Sequence, residues 1–163
     1  MQKFDSFDLY DNNGERYFVD INREGNYIHL DAHDDNKNNL AYLDSFVGCD
    51  KVYLDVIFCE PKYRNRGIAS KLLDMLSVIT NGSMIYGAFR PWAISSTKEE
   101  TDRIAKSFYE KNGYKIVTLN NYLNHMEDYP SIQETDFCVS NRSNRRAIVY
   151  KKEKVKNKIK IFK

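Results

Sequence analysis

The chain has 163 residues, 42% of them hydrophobic, and a formal net charge of +2, which suits one domain with a core of its own. No run of about 18 or more apolar residues occurs, and the first 15 residues lack an apolar signal segment, so we expect neither a membrane span nor a secretory signal. Three widely spaced cysteines and three scattered histidines show no metal-ligand spacing, so we expect a reduced, cytoplasmic protein without a metal site.

The charge is distributed unevenly along the chain. Residues 1–60 carry 5 basic and 13 acidic residues, whereas residues 61–163 carry 20 basic and 10 acidic residues. This asymmetry predicts a protein with two differently charged faces. Part of the positive excess lies in residues 151–163, which we separate as a basic C-terminal tail from a single domain over residues 1–150.

The first 60 residues predict a meander of antiparallel strands. Their segments are short, rich in β-branched and aromatic residues and partly alternating, with turn signals at Asn13-Gly14 and Glu24-Gly25-Asn26. The predicted strands cover residues 16–21, 26–32, 40–47 and 51–58. The last of them has several consecutive apolar residues, as expected of a central, well-buried strand.

Two helices are predicted downstream of residue 60. From Ile68 the apolar residues recur at helical spacing, and this helix ends at Asn81-Gly82. The second helix begins at overlapping capping boxes that start at Ser96 and Thr97, each with a glutamate three residues later. Asn112-Gly113 is the usual C-terminal signal for the end of that helix.

Short strands alternate with these helices. They are predicted over residues 83–89, 114–119 and 145–152, and the polar residues 121–143 predict a loop with some local structure. The order of strand meander, helix, strand, helix and two strands predicts a mixed α/β domain with helices that cross over a central sheet. We find no internal repeat and no linker that would divide the chain.

Residues 63–72 place two arginines and a glycine directly before the first helix. The start of a helix already carries partial positive charge from unpaired amide groups, so Arg64 and Arg66 are unfavourable there unless an anion binds. Gly67 lets the backbone approach a ligand closely, and the small Ala69 lets the helix lie near it. The pattern predicts a phosphate site at this helix start, and an ordinary capped helix with exposed arginines is the alternative.

At these residues the chain resembles the GNAT superfamily of N-acetyltransferases. Residues 64–69, Arg-Asn-Arg-Gly-Ile-Ala, match that family's pyrophosphate-binding pattern, which follows a strand and opens a helix. Residues 108–115 are similar to its second signature, on the next helix, and the order of elements over residues 26–150 fits its core. The resemblance implies a central mixed sheet with a splayed strand pair and crossover helices, and acetyl-CoA as the co-substrate.

The resemblance also implies how coenzyme A is held. The pantetheine arm pairs with the backbone of the strand before the loop, so Cys59 contributes its backbone and a cysteine nucleophile is not required. The helix-start amides cradle the pyrophosphate, and arginine side chains add charge-assisted contacts. The cofactor-binding residues implied in this way are Ile57, Phe58, Cys59, Arg64, Asn65, Arg66, Gly67, Ile68, Ala69 and Ser70.

Two residues are candidates for the proton transfers of amine acetylation. Tyr109 matches the tyrosine that in many family members protonates the departing thiolate, and a core tyrosine with a hydrogen-bonded hydroxyl is the alternative. Asp55 is the candidate base, directly or through water. It stands two residues before Ile57, so strand alternation predicts that both side chains share a face. Glu60, which follows the strand, is the weaker candidate.

The acceptor region departs from the resemblance. The family usually has one or two helices between its first strands, whereas residues 20–30 predict a hairpin, so the N-terminal helices are replaced by a strand meander. Arg90 and Trp92 follow the next strand, where acceptors approach in relatives. The acceptor is a small-molecule or protein amine, and the acidic N-terminal half favours a cationic one.

The leading hypothesis is an acetyl-CoA-dependent N-acetyltransferase that acts on a primary amine. Two alternatives stay open. One is a non-catalytic module of this fold that binds coenzyme A or another protein. The other is a toxin that acetylates an aminoacyl-tRNA, which the basic tail mildly favours. A nucleic-acid-binding protein without a cofactor is disfavoured, because it leaves the glycine loop unexplained. We expect no membrane partner, and the sequence leaves a homodimer open.

Overall fold

The structure is a computed structural model that describes residues 2–91, 94–137 and 147–152, with side chains from residue 5 onward. Trp92, the end of the predicted loop and the tail beyond residue 152 lie outside the described residues. The strands are β1 (Gln2–Tyr10), β2 (Arg16–Glu24), β3 (Tyr27–His33), β4 (Asn39–Val47), β5 (Lys51–Cys59), β6 (Met84–Ala88), β7 (Lys115–Thr118) and β8 (Ala147–Lys151). The helices are α1 (Ile68–Ile79), α2 (Lys98–Lys111) and α3 (Leu119–Asn124).

One mixed sheet organises the fold. Its eight strands follow the order β1-β2-β3-β4-β5-β6-β8-β7, and β5 and β6 form the parallel pair. The first five strands are a continuous antiparallel meander, as predicted, and an additional strand, β1, precedes the four that the sequence indicated. The predicted fold class, a mixed α/β domain with a central mixed sheet, is confirmed.

The helices begin and end where the sequence signals stand. Gly67, in the left-handed region with φ of 80°, precedes α1, and the Thr97 side chain caps α2 by accepting a hydrogen bond from the Glu100 amide. Gly113 follows α2 with φ of 84°. The described part of the predicted polar loop is more structured than expected, because Tyr122, Phe137 and other apolar residues bury themselves against β8.

Apolar clusters lie on both faces of the sheet. The larger one joins β2 to β5 with α1, through residues such as Leu30, Leu43 and Leu72. The second joins β6, β7 and β8 to α3 and the residues that follow it. Among the described residues, neither cluster includes a helix on the face of β2, β3 and β4 opposite α1. This agrees with the expectation that a strand meander replaces the family's N-terminal helices. No helix among the described residues is long and apolar enough to cross a membrane.

β5 and β6 diverge from each other, as the predicted splayed pair requires. β5 pairs with β4 as far as Cys59, but it pairs with β6 only through Lys51, Val52 and Tyr53. At the point of divergence, a Cβ atom on Gly87 would lie 2.5 Å from the carbonyl oxygen of Leu54. The absence of a side chain at Gly87 therefore allows the two backbones to approach before they separate.

We predict that Gly87→Ala destabilises the protein by about 1–3 kcal/mol, because the new methyl group overlaps the β5 backbone. Chemical denaturation followed by circular dichroism would measure the free energy of unfolding. The sign of the change in the free energy of unfolding is diagnostic, because a glycine-to-alanine substitution inside an unstrained strand is expected to stabilise the protein by about 0.5–1 kcal/mol. An unchanged or raised stability would contradict the close approach.

Candidate active site

A cleft of about 320 Å³ opens where β5 and β6 diverge. Its walls come from the second half of β5, the loop before α1, the first turn of α1, the end of β6 and one side of α2. The structure brings all twelve predicted site residues together in this lining. They are Asp55, Ile57, Phe58, Cys59, Arg64, Asn65, Arg66, Gly67, Ile68, Ala69, Ser70 and Tyr109.

The phosphate-loop pattern forms an uncapped helix start at one end of the cleft. Asn65 and Gly67 both have positive φ, 64° and 80°, which turns the chain sharply into α1. No described side chain caps this helix, so the amides of Ile68, Ala69 and Ser70 lack intrahelical acceptors at a surface that lines the cleft. Such a group of amides can bind an anion such as phosphate.

The turn between β1 and β2 supports this loop from outside. The Asn12 amide donates a 2.9 Å hydrogen bond to the Arg66 carbonyl oxygen. Gly67 is favoured by its positive φ, and a Cβ atom there would also lie 2.9 Å from the end of the exposed Asn12 side chain, which would have to move. No sequence pattern predicts this contact, because it joins residues more than fifty positions apart.

The two arginines of the loop have different partners. Arg64 donates a hydrogen bond from Nε to the Cys59 carbonyl oxygen at 3.1 Å, which ties the loop to the end of β5. Arg66 pairs with Glu15 at 2.9 Å and Asp11 at 3.7 Å. Its guanidinium therefore meets carboxylates of the β1–β2 turn, and contact of either arginine side chain with a phosphate stays a prediction.

The lining of the cleft carries a positive excess. Among the described residues, five cationic side chains line it, against the single carboxylate of Asp55. Arg66 and Arg103 have carboxylate partners, the latter in Glu100. The five are Arg64, Arg66, Arg90, Arg103 and Lys111. Such a lining suits a polyanionic ligand.

Tyr109 lies on α2 at the inner wall of the cleft. Its ring makes edge contacts with Phe89, Phe108 and Tyr114, at centroid distances of 6.3, 5.3 and 5.8 Å. Burial raises the pKa of Tyr109 to about 12, so the hydroxyl stays protonated at neutral pH. Among the described residues none forms a hydrogen bond with this hydroxyl. The ring is packed as a core aromatic would be, while the hydroxyl is a donor that a ligand can use.

Asp55 lies at an irregularity of β5 that alternation did not predict. Leu54 pairs with Ser45 and Val56 pairs with Asp44, so Asp55 is an extra residue, a β-bulge. The expectation that Asp55 and Ile57 share a face is therefore wrong, because the extra residue reverses the alternation between them. Asp55 is exposed at the rim of the cleft, whereas Ile57 packs against the core.

Asn112 joins the two helices that border the cleft. Its Nδ2 donates to Ser70 Oγ at 3.1 Å, at the start of α1, and to the Phe108 carbonyl oxygen at 2.8 Å. The sequence indicated Asn112 as a helix-end signal, and the structure shows that it also fixes the spacing between α1 and α2. Glu60, the weaker candidate base, does not line the cleft.

Solved structures share this fold. An acetyltransferase of the GNAT family from Staphylococcus aureus aligns over 79% of this chain and 69% of its own, with 18% identity and a TM-score of 0.53. An acetoin utilization protein from Exiguobacterium sibiricum aligns over 93% and 87%, with 8% identity and a TM-score of 0.59. The PaiA N-acetyltransferase from Thermoplasma acidophilum, solved in complex with coenzyme A, aligns over 78% and 61%, with 17% identity and a TM-score of 0.50.

At the level of sequence, no curated protein matches the chain. The family model for the acetyltransferase (GNAT) domain matches residues 14–116, which is more than half of the chain and includes β5, the phosphate loop and both helices of the cleft. The match, the sheet order and the diverging parallel pair agree. The chain therefore belongs to the GNAT acetyltransferase family.

Proposed function

We propose that this protein is an acetyl-CoA-dependent N-acetyltransferase that transfers the acetyl group to a primary amine by direct attack. The observation that carries the proposal is the cleft between β5 and β6, which combines an uncapped helix start, a positive lining and the protonated hydroxyl of Tyr109. A related fold in complex with coenzyme A, the PaiA N-acetyltransferase, supports the choice of donor. Three widely spaced cysteines give no sign of a disulfide framework, which favours a cytoplasmic site of action.

The donor is held by backbone groups and by charge. The amides at the start of α1 bind the pyrophosphate. Beyond Tyr53, β5 has no β6 partner, so those backbone groups of Ile57, Phe58 and Cys59 that point away from β4 can pair with the pantetheine amides. Burial raises the pKa of the Cys59 thiol, which disfavours the thiolate and supports a backbone role for this residue.

The chemical step needs one proton acceptor and one proton donor. The amine nitrogen attacks the thioester carbonyl carbon, the carbon–sulfur bond breaks, and the coenzyme A sulfur leaves as a thiolate. Tyr109 donates its proton to that sulfur, and Asp55 accepts the proton of the attacking amine, directly or through water. The two residues line the same cleft from α2 and β5.

We expect Tyr109→Phe to lower kcat by about 10²-fold or more while the KM for acetyl-CoA changes little, because the ring packing is kept and the acid is lost. Thiol release from acetyl-CoA, with a primary amine found by screening, would measure both constants. Tyr63→Phe, at another tyrosine of the same cleft, is the matched control. With a pKa of about 12 for Tyr109, the parent kcat should not fall through ionisation of this residue below about pH 11. An unchanged kcat in Tyr109→Phe would favour the non-catalytic binding module instead.

We expect Asp55→Asn to lower kcat/KM for the amine most strongly at neutral pH. The loss should shrink as the pH rises, because a larger fraction of the acceptor amine is then already unprotonated and needs no base. A pH profile of kcat/KM for the parent, for Asp55→Asn and for the control Glu60→Gln would measure this. A loss that is independent of pH, or equal in both variants, would remove the base role from Asp55.

A further inference from the structure

Arg66 is attached to the β1–β2 turn, residues 11–15, through both its backbone and its side chain. Its carbonyl oxygen accepts a hydrogen bond from the Asn12 amide at 2.9 Å. Its guanidinium lies 2.9 Å from a carboxylate oxygen of Glu15 and 3.7 Å from one of Asp11. Three contacts with one turn are the geometry of a residue that another segment of the chain holds in place.

The turn itself is closed by internal hydrogen bonds. Asp11 Oδ1 accepts hydrogen bonds from the backbone amides of Asn13 and Glu15, at 2.8 and 2.9 Å. The Gly14 amide donates to the Asp11 carbonyl oxygen at 3.0 Å. Because 4% of the Asp11 side chain is accessible, its carboxylate is fixed and little screened by solvent. The turn is therefore a preorganised support for Arg66.

The phosphate loop, residues 64–67, has a backbone that gains from such support. Asn65 has φ of 64° and Gly67 has φ of 80°, so Arg66 lies between two residues in the left-handed region. This region is uncommon for residues other than glycine, although asparagine adopts it more often than most. No described side chain caps α1, so the direction of its first amides depends on the contacts that the loop makes.

Arg64 differs from Arg66 in its partners. Its Nε donates to the Cys59 carbonyl oxygen at 3.1 Å, and among the described residues it has no carboxylate partner. Both arginines line the cleft, but two carboxylates already share the charge of Arg66. The remaining guanidinium nitrogens of Arg64 are therefore better suited to a phosphate than those of Arg66.

The turn and the start of α1 are anchored to one core. Leu9 pairs with Tyr17 next to the turn, and both side chains pack in the same apolar cluster as Ile68, the first residue of α1. The family match covers residues 14–116, so β1 and the carboxylate of Asp11 lie outside it. The support for the loop thus comes largely from a segment that precedes the matched domain.

We propose that Arg66 is a positioning residue and not a phosphate ligand. The β1–β2 turn holds it through Asn12, Asp11 and Glu15, and Arg66 in turn fixes the start of α1 in the orientation in which its amides bind the pyrophosphate of coenzyme A. This deepens the proposed function and rests on it for the identity of the donor. As a consequence, the two turn carboxylates strengthen the binding of a polyanion that they would repel by charge alone.

Removal of the turn carboxylates tests the proposal by the sign of its effect. Isothermal titration of the full chain with coenzyme A would compare the parent with Asp11→Asn/Glu15→Gln, in which the asparagine keeps the oxygen that accepts the two turn amides. We expect this double variant, folded by circular dichroism, to bind at least about fivefold more weakly, although it has lost two negative charges. The control Glu60→Gln removes a carboxylate between β5 and the phosphate loop that has no ion pair among the described residues. It should bind coenzyme A like the parent or more tightly.

A mutant cycle separates positioning from direct phosphate contact. Arg66→Gln and the triple variant that also carries both turn substitutions should show the same loss of affinity, because the turn carboxylates act through Arg66. Arg64→Gln should add its own loss to that of either. Where turnover is present, the double turn variant should raise the KM for acetyl-CoA. It should leave kcat and the KM for S-acetylpantetheine, which has no pyrophosphate, unchanged.

Two results would overturn the proposal. Equal or tighter binding of coenzyme A by the double variant would mean that the carboxylates compete with phosphate for Arg66, and additive losses in the cycle would mean that Arg66 contacts phosphate itself. Failure of the proposed function has a different signature, because the folded parent would then not bind coenzyme A. Hydrogen exchange of the free protein tests the positioning role even in that case. The double variant should speed exchange of the Lys71 amide, which donates to the Gly67 carbonyl oxygen at 3.0 Å, and leave the β4 amides unchanged. Unchanged exchange at Lys71 would contradict the role.

Discussion

The divergence of β5 from β6 is the constraint on which the rest of the molecule depends. The two strands are hydrogen-bonded only as far as Tyr53 and Tyr86, and Gly87 allows the backbones to approach just before they part. Beyond that point the β5 backbone keeps its partner on one side and faces the cleft on the other. Backbone groups of β5 that face this cleft have no strand partner there, so a ligand with peptide-like amides can pair with them.

Charge is divided between two surfaces in a way that agrees with this geometry. The helix start and its cations surround the end of the cleft where a polyanion fits, and carboxylates cover the sheet face that leads to the other side of the same cleft. The uneven charge of the sequence, acidic before residue 60 and basic after it, has this spatial counterpart in the described residues.

Local sequence signals predicted the helix bounds and most of the strands. The features that they did not predict depend on contacts between segments that are distant in the chain. Gly67, Thr97 and Gly113 act through their own turns, so the helix bounds were predictable. The bulge at Asp55 depends on pairing with β4, which no local pattern of β5 reveals. The contact of Asn12 with Gly67 likewise joins distant segments, and it became visible only in the fold.

Isothermal titration of acetyl-CoA into the purified protein, free of co-purified coenzyme A, tests the central claim that the cleft binds this donor through the start of α1. Gly67→Glu and Gly25→Glu are a matched pair, since both glycines have positive φ and only Gly67 lines the cleft. We predict that the parent and Gly25→Glu bind acetyl-CoA alike and that Gly67→Glu, folded by circular dichroism, does not bind. Absence of binding in the folded parent, or equal binding by Gly67→Glu, would contradict the account.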